Sequence, residues 1–220
     1  MSSRFRAGPE HHQAMAIPIR TVAEVFERLD GCLGRGNVML IGGQAVNFWC
    51  HKQRSSHDID VIVRRELTDA DRQAFRGAGF VPLHGNKEAG YTYNDHYFGV
   101  VKIDLISAGR QVNGISPETL FANAVEHTAY PSGPTMTILD KWLLIVMKAR
   151  NGGGQDREDI GNLLHNFYRG SPERFVDIEY TSLVGVLGAK GNIAALETNL
   201  KEMVSDDAAI GGLGDALRHD

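Results

Sequence analysis

The sequence predicts an α+β fold, in which a short mixed sheet flanked by helices precedes a helical C-terminal region. Two observations support this prediction. Short apolar runs alternate with helical patterns as far as about residue 110, and helical patterns dominate after residue 131. A chain of 220 residues can bury one sizeable core, or a main domain and a smaller one. We expect a flexible lead-in over residues 1–18, a core domain over 19–130 and a helical region over 131–220.

The first elements follow from apolar spacing and from residues that begin or end helices. Thr21 can cap a helix that continues as far as Gly31 or Gly34. The pair Gly42–Gly43 ends a short buried strand, and a helix begins directly after it. The predicted order is a helix over VAEVFERLDGCL, a strand over NVMLI, a helix over QAVNFWCHK and a strand over DIDVIV.

The later elements alternate in the same way. Thr68 can cap a helix that ends near Gly77, and Pro117 can begin a short helix over residues 117–127. Three further strands are predicted over FVPLH, GYTYND and VVKIDLIS, and the last two form a hairpin. Helices are predicted over TILDKWLLIVMKAR, DREDIGNLLHNFY and AALETNLKEMV.

Composition excludes several classes of protein. With 23 basic and 27 acidic residues, the net charge of −4 does not indicate a generally basic nucleic-acid binder, although a local basic patch is compatible with it. The two cysteines, Cys32 and Cys50, form no disulfide framework, so we expect a reducing cytoplasm. No apolar run approaches the roughly 20 residues that span a bilayer.

The main functional signal is a pair of aspartates in a strand that otherwise reads as buried. Side chains alternate along a strand, so Asp58 and Asp60 share one face, while Ile59, Val61 and Val63 share the other. Two carboxylates roughly 5 Å apart repel by about 3 kcal/mol at an effective dielectric constant near 20. A divalent cation removes this repulsion, and Mg²⁺ prefers one or two carboxylates together with substrate phosphates.

The same alternation adds a third carboxylate. In VVKIDLIS, Lys102 and Asp104 share the face opposite to Val101, Ile103 and Leu105. If this strand neighbours DIDVIV in the sheet, Asp104 joins Asp58 and Asp60. Three carboxylates can hold two metal ions, an arrangement suited to in-line displacement at phosphorus.

The glycine pair fits phosphate chemistry. Gly42 and Gly43 lack Cβ atoms, which allows backbone to approach a ligand closely. They also stand where a helix begins, so free N–H groups and the positive end of the helix dipole favour a phosphate there.

This combination resembles the nucleotidyltransferase superfamily, which has the polymerase-beta-like fold. The superfamily motif is Gly-Gly or Gly-Ser, a spacer of about a dozen residues, and Asp-x-Asp. The stretch GGQAVNFWCHKQRSSHDID matches it through Gly42, Gly43, Asp58 and Asp60, and Asp104 supplies the later carboxylate. Within the superfamily the likeness is closest to the AbiEii/MenT toxin-like group. There an Arg-x-Thr precedes the aspartates; here Arg54 matches, and Ser56 replaces threonine but keeps the hydroxyl.

The resemblance continues, more weakly, into the helical region. Proteins of that group have an L-x-x-K helix followed by an R/K-D-x-x-D helix. These motifs match Lys141, and then Asp156 and Asp159, with Gln155 in place of the usual basic residue. Each match has an ordinary alternative, because Lys141 suits a solvated helix face and acidic residues are favoured in a first helical turn.

The resemblance implies a set of roles for these residues. It implies that Asp58 and Asp60 bind Mg²⁺, or Mn²⁺ in its place, and that Asp104 is a third ligand or the general base. It also implies that the glycines, Arg54, Ser56, Asp156 and Asp159 form the nucleotide site, and that Lys141 pairs with the triphosphate of an NTP substrate.

The implied activity is transfer of a nucleoside monophosphate from an NTP to an acceptor hydroxyl. RNA, such as a tRNA 3′ end, is the acceptor that toxin-like relatives imply, and a cognate antitoxin is then the expected partner. A small molecule, as in antibiotic adenylylation, and a protein hydroxyl remain open. A non-catalytic nucleotide-binding partner protein is the alternative from another class.

Overall fold

The computed structural model describes residues 16–50, 55–83, 90–107, 112, 115–151 and 154–168. The predictions for residues 1–15 and 169–220 therefore lie outside the described residues. The helices and strands of the described ranges are α1 (Ile19–Leu33), β1 (Val38–Leu40), α2 (Gly42–Cys50), β2 (Asp58–Val63), α3 (Asp69–Gly77), β3 (Phe80–Pro82), β4 (Gly90–Asp95), β5 (Gly99–Ile106), α4 (Pro117–Ala122), β6 (Ala124–Thr128), β7 (Thr135–Leu139), α5 (Lys141–Asn151) and α6 (Gly154–Tyr168).

The strands form one mixed sheet in the order β3-β4-β5-β2-β1-β7-β6. Strand β2 pairs parallel with β5 and antiparallel with β1, and β1 pairs parallel with β7. The hairpin β4–β5 is antiparallel, as the sequence predicts. A mixed sheet flanked by helices confirms the predicted α+β class.

Three local predictions are wrong. Helix α1 begins at Ile19 after Pro18, so Thr21 lies buried inside the helix and does not cap it. The helix that Pro117 begins ends at Ala122, and residues 124–128 form β6. Residues 137–139, predicted as the start of a helix, belong to β7 (Thr135–Leu139), because a short apolar run fits a buried strand as well as a helix. The sheet consequently extends past residue 130.

One face of the sheet is covered by α1 and α3. The Phe75 ring of α3 packs edge-on against Tyr91, with ring centroids 5.1 Å apart. The Tyr93 hydroxyl donates a hydrogen bond to Glu24 of α1 over 2.8 Å. Because strand register places Tyr91 beside Ile103, and Ile103 beside Ile59, this face carries the apolar side chains of the central strands.

The opposite face is covered over only part of its width. Helices α2, α5 and α6 pack against one another, and α2 also packs against β2. Over the outer strands the same face is open, since Val81 is 60% exposed and Val100 is 71% exposed. Register connects Val81 through Thr92 to Lys102, and then to Asp58. The aspartates of β2 therefore lie where the covered part of this face meets the open part.

Helix α3 is fixed at its start by a buried carboxylate. The Thr68 side chain caps the helix, and Asp71 accepts a hydrogen bond from the Thr68 backbone N–H over 2.8 Å, completing a capping box. Arg65 donates two hydrogen bonds to the same carboxylate, one of them over 2.8 Å. These contacts, and first of all the Arg65 guanidinium, hold the pKa of Asp71 well below its usual range.

We expect Asp71→Asn to lower the free energy of unfolding by about 1–2 kcal/mol at pH 7, as the loss of a cap does. Because the pKa of Asp71 is lower in the folded state, its stabilisation is complete above the unfolded pKa of about 4 and is lost as the pH falls further. The difference between wild type and variant should shrink from pH 6 to pH 3.5 in urea unfolding. Asp69→Asn, at an exposed neighbouring carboxylate, is the matched control. A pH-independent difference would contradict the assignment.

Candidate active site

Three carboxylates converge on one face of the sheet. The parallel register of β2 and β5 sets Asp60 directly beside Asp104, and Asp58 beside Lys102. One carboxylate oxygen from each of Asp58, Asp60 and Asp104 lies within 4.8 Å of the other two. The alternation seen in the sequence therefore places these side chains together, and sheet pairing supplies the contact across strands.

The ionised form of Asp60 is destabilised by burial and by neighbouring negative charges. Its pKa is raised to about 6, first by burial and then by the negative charges of Asp58 and Asp104. The ammonium groups of Lys148 and Lys102 oppose this rise. A further cation close to Asp60 would therefore favour its ionised form.

Gly42 makes the approach of α2 to Asp60 sterically feasible. Its backbone has φ of +65°, and a Cβ atom there would overlap the Asp60 carboxylate and lie 2.8 Å from the Asp60 Cβ. The preceding Ile41 N–H donates to the Asp60 carbonyl over 3.0 Å. Gly43 follows as a buried residue of the first turn. The N-terminus of a helix thus lies directly beside the carboxylates.

Ser56 holds Asp58 in place. Its side chain is buried, and Ser56 Oγ lies 3.2 Å from the carbonyl oxygen of Asp58 and 3.4 Å from Asp58 Oδ1. The structure therefore gives the hydroxyl a local partner, while contact with a nucleotide stays a prediction. Arg54 lies outside the described residues.

Helices α5 and α6 are joined by a buried ion-pair network. Lys148 Nζ lies 2.9 Å from Asp156 Oδ1 and 2.9 Å from Asp159 Oδ2. The Lys148 side chain is 13% exposed, and Asp159 is fully buried. Lys148, which has no role in the sequence motif, contacts both Asp156 and Asp159. Lys141 is the partly buried first residue of α5, and its role stays a prediction.

Lys102 is a second cation of the site that sequence reasoning left without a role. Its Nζ lies 2.6 Å from Asp104 Oδ2 and 3.9 Å from Asp58 Oδ2. Strand alternation already places Lys102 on the face of Asp104, and this was the available signal. For Lys148 the available signal was its position on the helix that directly precedes the helix of Asp156 and Asp159.

The donor set fits a hard divalent cation. All three candidate ligands are carboxylates. Such oxygen donors suit hard ions, such as Mg²⁺ and Mn²⁺, better than they suit softer metals. Burial, and after it the negative charges of Asp58 and Asp104, raise the pKa of Asp60, and a divalent ion at the cluster would offset these effects. The residues present are therefore chemically suited to the metal that the resemblance implies.

Comparison with solved structures identifies the fold. A nucleotidyltransferase-like protein from Paracoccidioides brasiliensis, described as antigenic, superposes with a TM-score of 0.57 at 16% identity, covering 91% of this chain and 92% of that one. The fold is nucleotidyltransferase-like.

Two further structures match less closely. A lincomycin-bound lincosamide antibiotic adenylyltransferase has a TM-score of 0.43 and 18% identity, over 64% of this chain and 94% of that chain. A putative nucleotidyltransferase from H. pylori has a TM-score of 0.45 and 14% identity, over 90% of this chain and 92% of that chain. No family model and no curated protein matches the sequence significantly. The narrower likeness to the AbiEii/MenT toxin-like group stays a prediction.

We expect Gly42→Ala to disturb the site beyond its backbone strain. Both Gly42 and Gly36 have positive φ, but a Cβ at Gly36 would meet nothing within 4 Å. Alanine at either position adds about 1–2 kcal/mol of backbone strain, and the overlap with Asp60 should add about 1–3 kcal/mol at Gly42 alone. Urea unfolding of Gly42→Ala and Gly36→Ala measures both effects. Equal destabilisation would contradict the close approach of α2 to Asp60.

We expect Asp159→Asn to lower the free energy of unfolding by about 3 kcal/mol, because it breaks a buried ion pair. Glu158 is exposed on the same helix, and Glu158→Gln should change stability by less than about 0.5 kcal/mol. Chemical denaturation of the two variants tests the network without reference to activity. If the two midpoints coincide, Lys148 does not depend on Asp159.

Proposed function

We propose that this chain is a metal-dependent nucleotidyltransferase, which transfers a nucleoside monophosphate from an NTP to an acceptor hydroxyl. The observation that carries the proposal is the convergence of Asp58, Asp60 and Asp104 beside the α2 N-terminus. In this reaction the acceptor oxygen bonds to the α-phosphorus, and the bond from that phosphorus to the β-phosphate oxygen breaks. Pyrophosphate leaves, and the acceptor proton passes to a carboxylate.

In this proposal Asp58, Asp60 and Asp104 hold Mg²⁺, which Mn²⁺ can replace. The bound ion neutralises negative charge on the triphosphate. The chain's own residues bind and orient the substrate. The first turn of α2, at Gly42 and Gly43, presents backbone N–H groups to phosphate oxygens, as helix N-termini do.

The two sides of the site are proposed to bind different substrates, the NTP phosphates on one side and the acceptor on the other. The phosphate-binding side is the covered side, where α2 begins and where the positive charge of Lys148 lowers the pKa of Asp60. The acceptor side is the open face of β3, β4 and β5, because Val81 and Val100 leave room there. Asp104, on β5 at this border, is placed to accept the proton of an incoming hydroxyl. We propose that Lys141 binds the triphosphate, and that Asp156 and Asp159 act on the nucleotide site indirectly, by holding Lys148.

We propose that the acceptor is RNA, with a tRNA 3′ end as the first candidate. We further propose that the protein acts in the cytoplasm and that a cognate antitoxin binds it. This step rests on the sequence resemblance to the AbiEii/MenT toxin-like group. Within the described part of the chain, no helix is long and apolar enough to cross a membrane. All three carboxylates are present, which favours an enzyme over a non-catalytic partner protein.

Transfer of radioactive label from each α-labelled NTP to total RNA tests the proposal. With Mg²⁺ we expect labelled RNA. Asp60→Asn should lower the rate of label transfer by about 100-fold or more, since the Asp60 carboxylate is proposed to hold the metal ion that neutralises the phosphates. Asp69→Asn, at an exposed carboxylate of α3, should retain activity. If the label appears instead on a lincosamide, an aminoglycoside or a protein, that molecule and not RNA is the acceptor. Absence of label with all four nucleotides and either metal would overturn the enzyme proposal.

A further inference from the structure

Lys102 places a positive charge inside the carboxylate cluster itself. It lies two residues before Asp104 on the same face of β5, and its Cα is the register partner of Asp58. The ammonium contacts Asp104 at 2.6 Å and lies 3.9 Å from Asp58. Of the three clustered carboxylates, two therefore already share a cation that the chain supplies.

A tethered ammonium and a divalent ion compete for the same oxygens. Asp104 Oδ2 accepts a hydrogen bond from Lys102, and a lone pair engaged in that bond is not free to coordinate a metal. A positive charge close to the cluster also repels an incoming cation. The ammonium therefore opposes metal binding at all three carboxylates, and its movement away from Asp104 favours such binding.

The side chain of Lys102 is able to move, in contrast to that of Lys148. Lys102 is 47% exposed, on the border of the open face, and its four-carbon stem is flexible. Lys148 is only 13% exposed and is held between two buried carboxylates. Of these two cations, Lys102 is the one free to exchange a carboxylate for another anion.

We propose that Lys102 is an internal competitor of the divalent cation and couples metal binding to nucleotide binding. When a triphosphate arrives, the ammonium leaves Asp104 for a phosphate oxygen, and Asp104 becomes available to the metal. Lys102 is then a positioning residue that keeps the metal affinity of the free protein low. This inference rests on the proposed function, because it takes the cluster to be the metal site.

Mn²⁺ binding to the full chain, measured by electron paramagnetic resonance of the free ion, tests the proposal without any turnover. For Lys102→Met without nucleotide we expect binding about tenfold tighter than wild type, equivalent to about 1.4 kcal/mol. Lys102→Gln should behave similarly, and it keeps a polar side chain should the methionine variant fold poorly. Lys102→Arg retains the charge and should bind Mn²⁺ as weakly as wild type.

The coupling is measured by repeating the titration with a non-hydrolysable NTP analogue, after correction for Mn²⁺ bound to the free nucleotide. The analogue should raise the Mn²⁺ affinity of wild type about tenfold more than that of Lys102→Gln. If neither neutral variant binds Mn²⁺ more tightly than wild type, while Asp60→Asn loses binding, the role of Lys102 is overturned and the proposed metal site stands. If Asp60→Asn binds Mn²⁺ as wild type does, both the metal site and the inference are overturned.

Discussion

The constraint on which the structure depends is the repulsion among three carboxylates that sheet pairing holds together. The parallel register of β2 and β5 leaves Asp60 and Asp104 no way to separate, since both side chains leave the same face of neighbouring strands. Charge of one sign in a partly buried place is unfavourable unless compensated. The surroundings compensate with two lysines, with the start of a helix and, in the proposed function, with a divalent ion.

The arrangement of layers explains why this cluster is neither sealed nor fully solvated. Helices α1 and α3 bury the apolar side of the sheet, so β2 is anchored through Ile59 and Val61. Among the described residues, α2 begins beside Asp60 on the other side, and Val100 of β5 and Val81 of β3 are exposed there. A charged site at such a border stays accessible from solvent, since the side chains of Asp58 and Asp104 are each 36% exposed.

The sequence was most informative where one local rule decides the outcome. Strand alternation placed Asp58, Asp60 and Asp104 on one face, and the capping residue Thr68 marked the start of α3. It was least informative where partners distant in sequence decide. Residues 135–139 become a strand because β1 and β6 pair with them, which no local pattern reveals. The pairing of Lys148 with Asp156 and Asp159 likewise depends on how α5 packs against α6.

The buried ion pairs between α5 and α6 connect these helices to the carboxylate cluster. Asp156 and Asp159 hold the Lys148 ammonium, which offsets part of their negative charge. The same ammonium lowers the pKa of Asp60. Such a pair contributes little net stability compared with apolar packing of the same volume. Its presence is better explained by orientation, since the network fixes a positive charge that lowers the pKa of Asp60, and an apolar contact supplies no such charge.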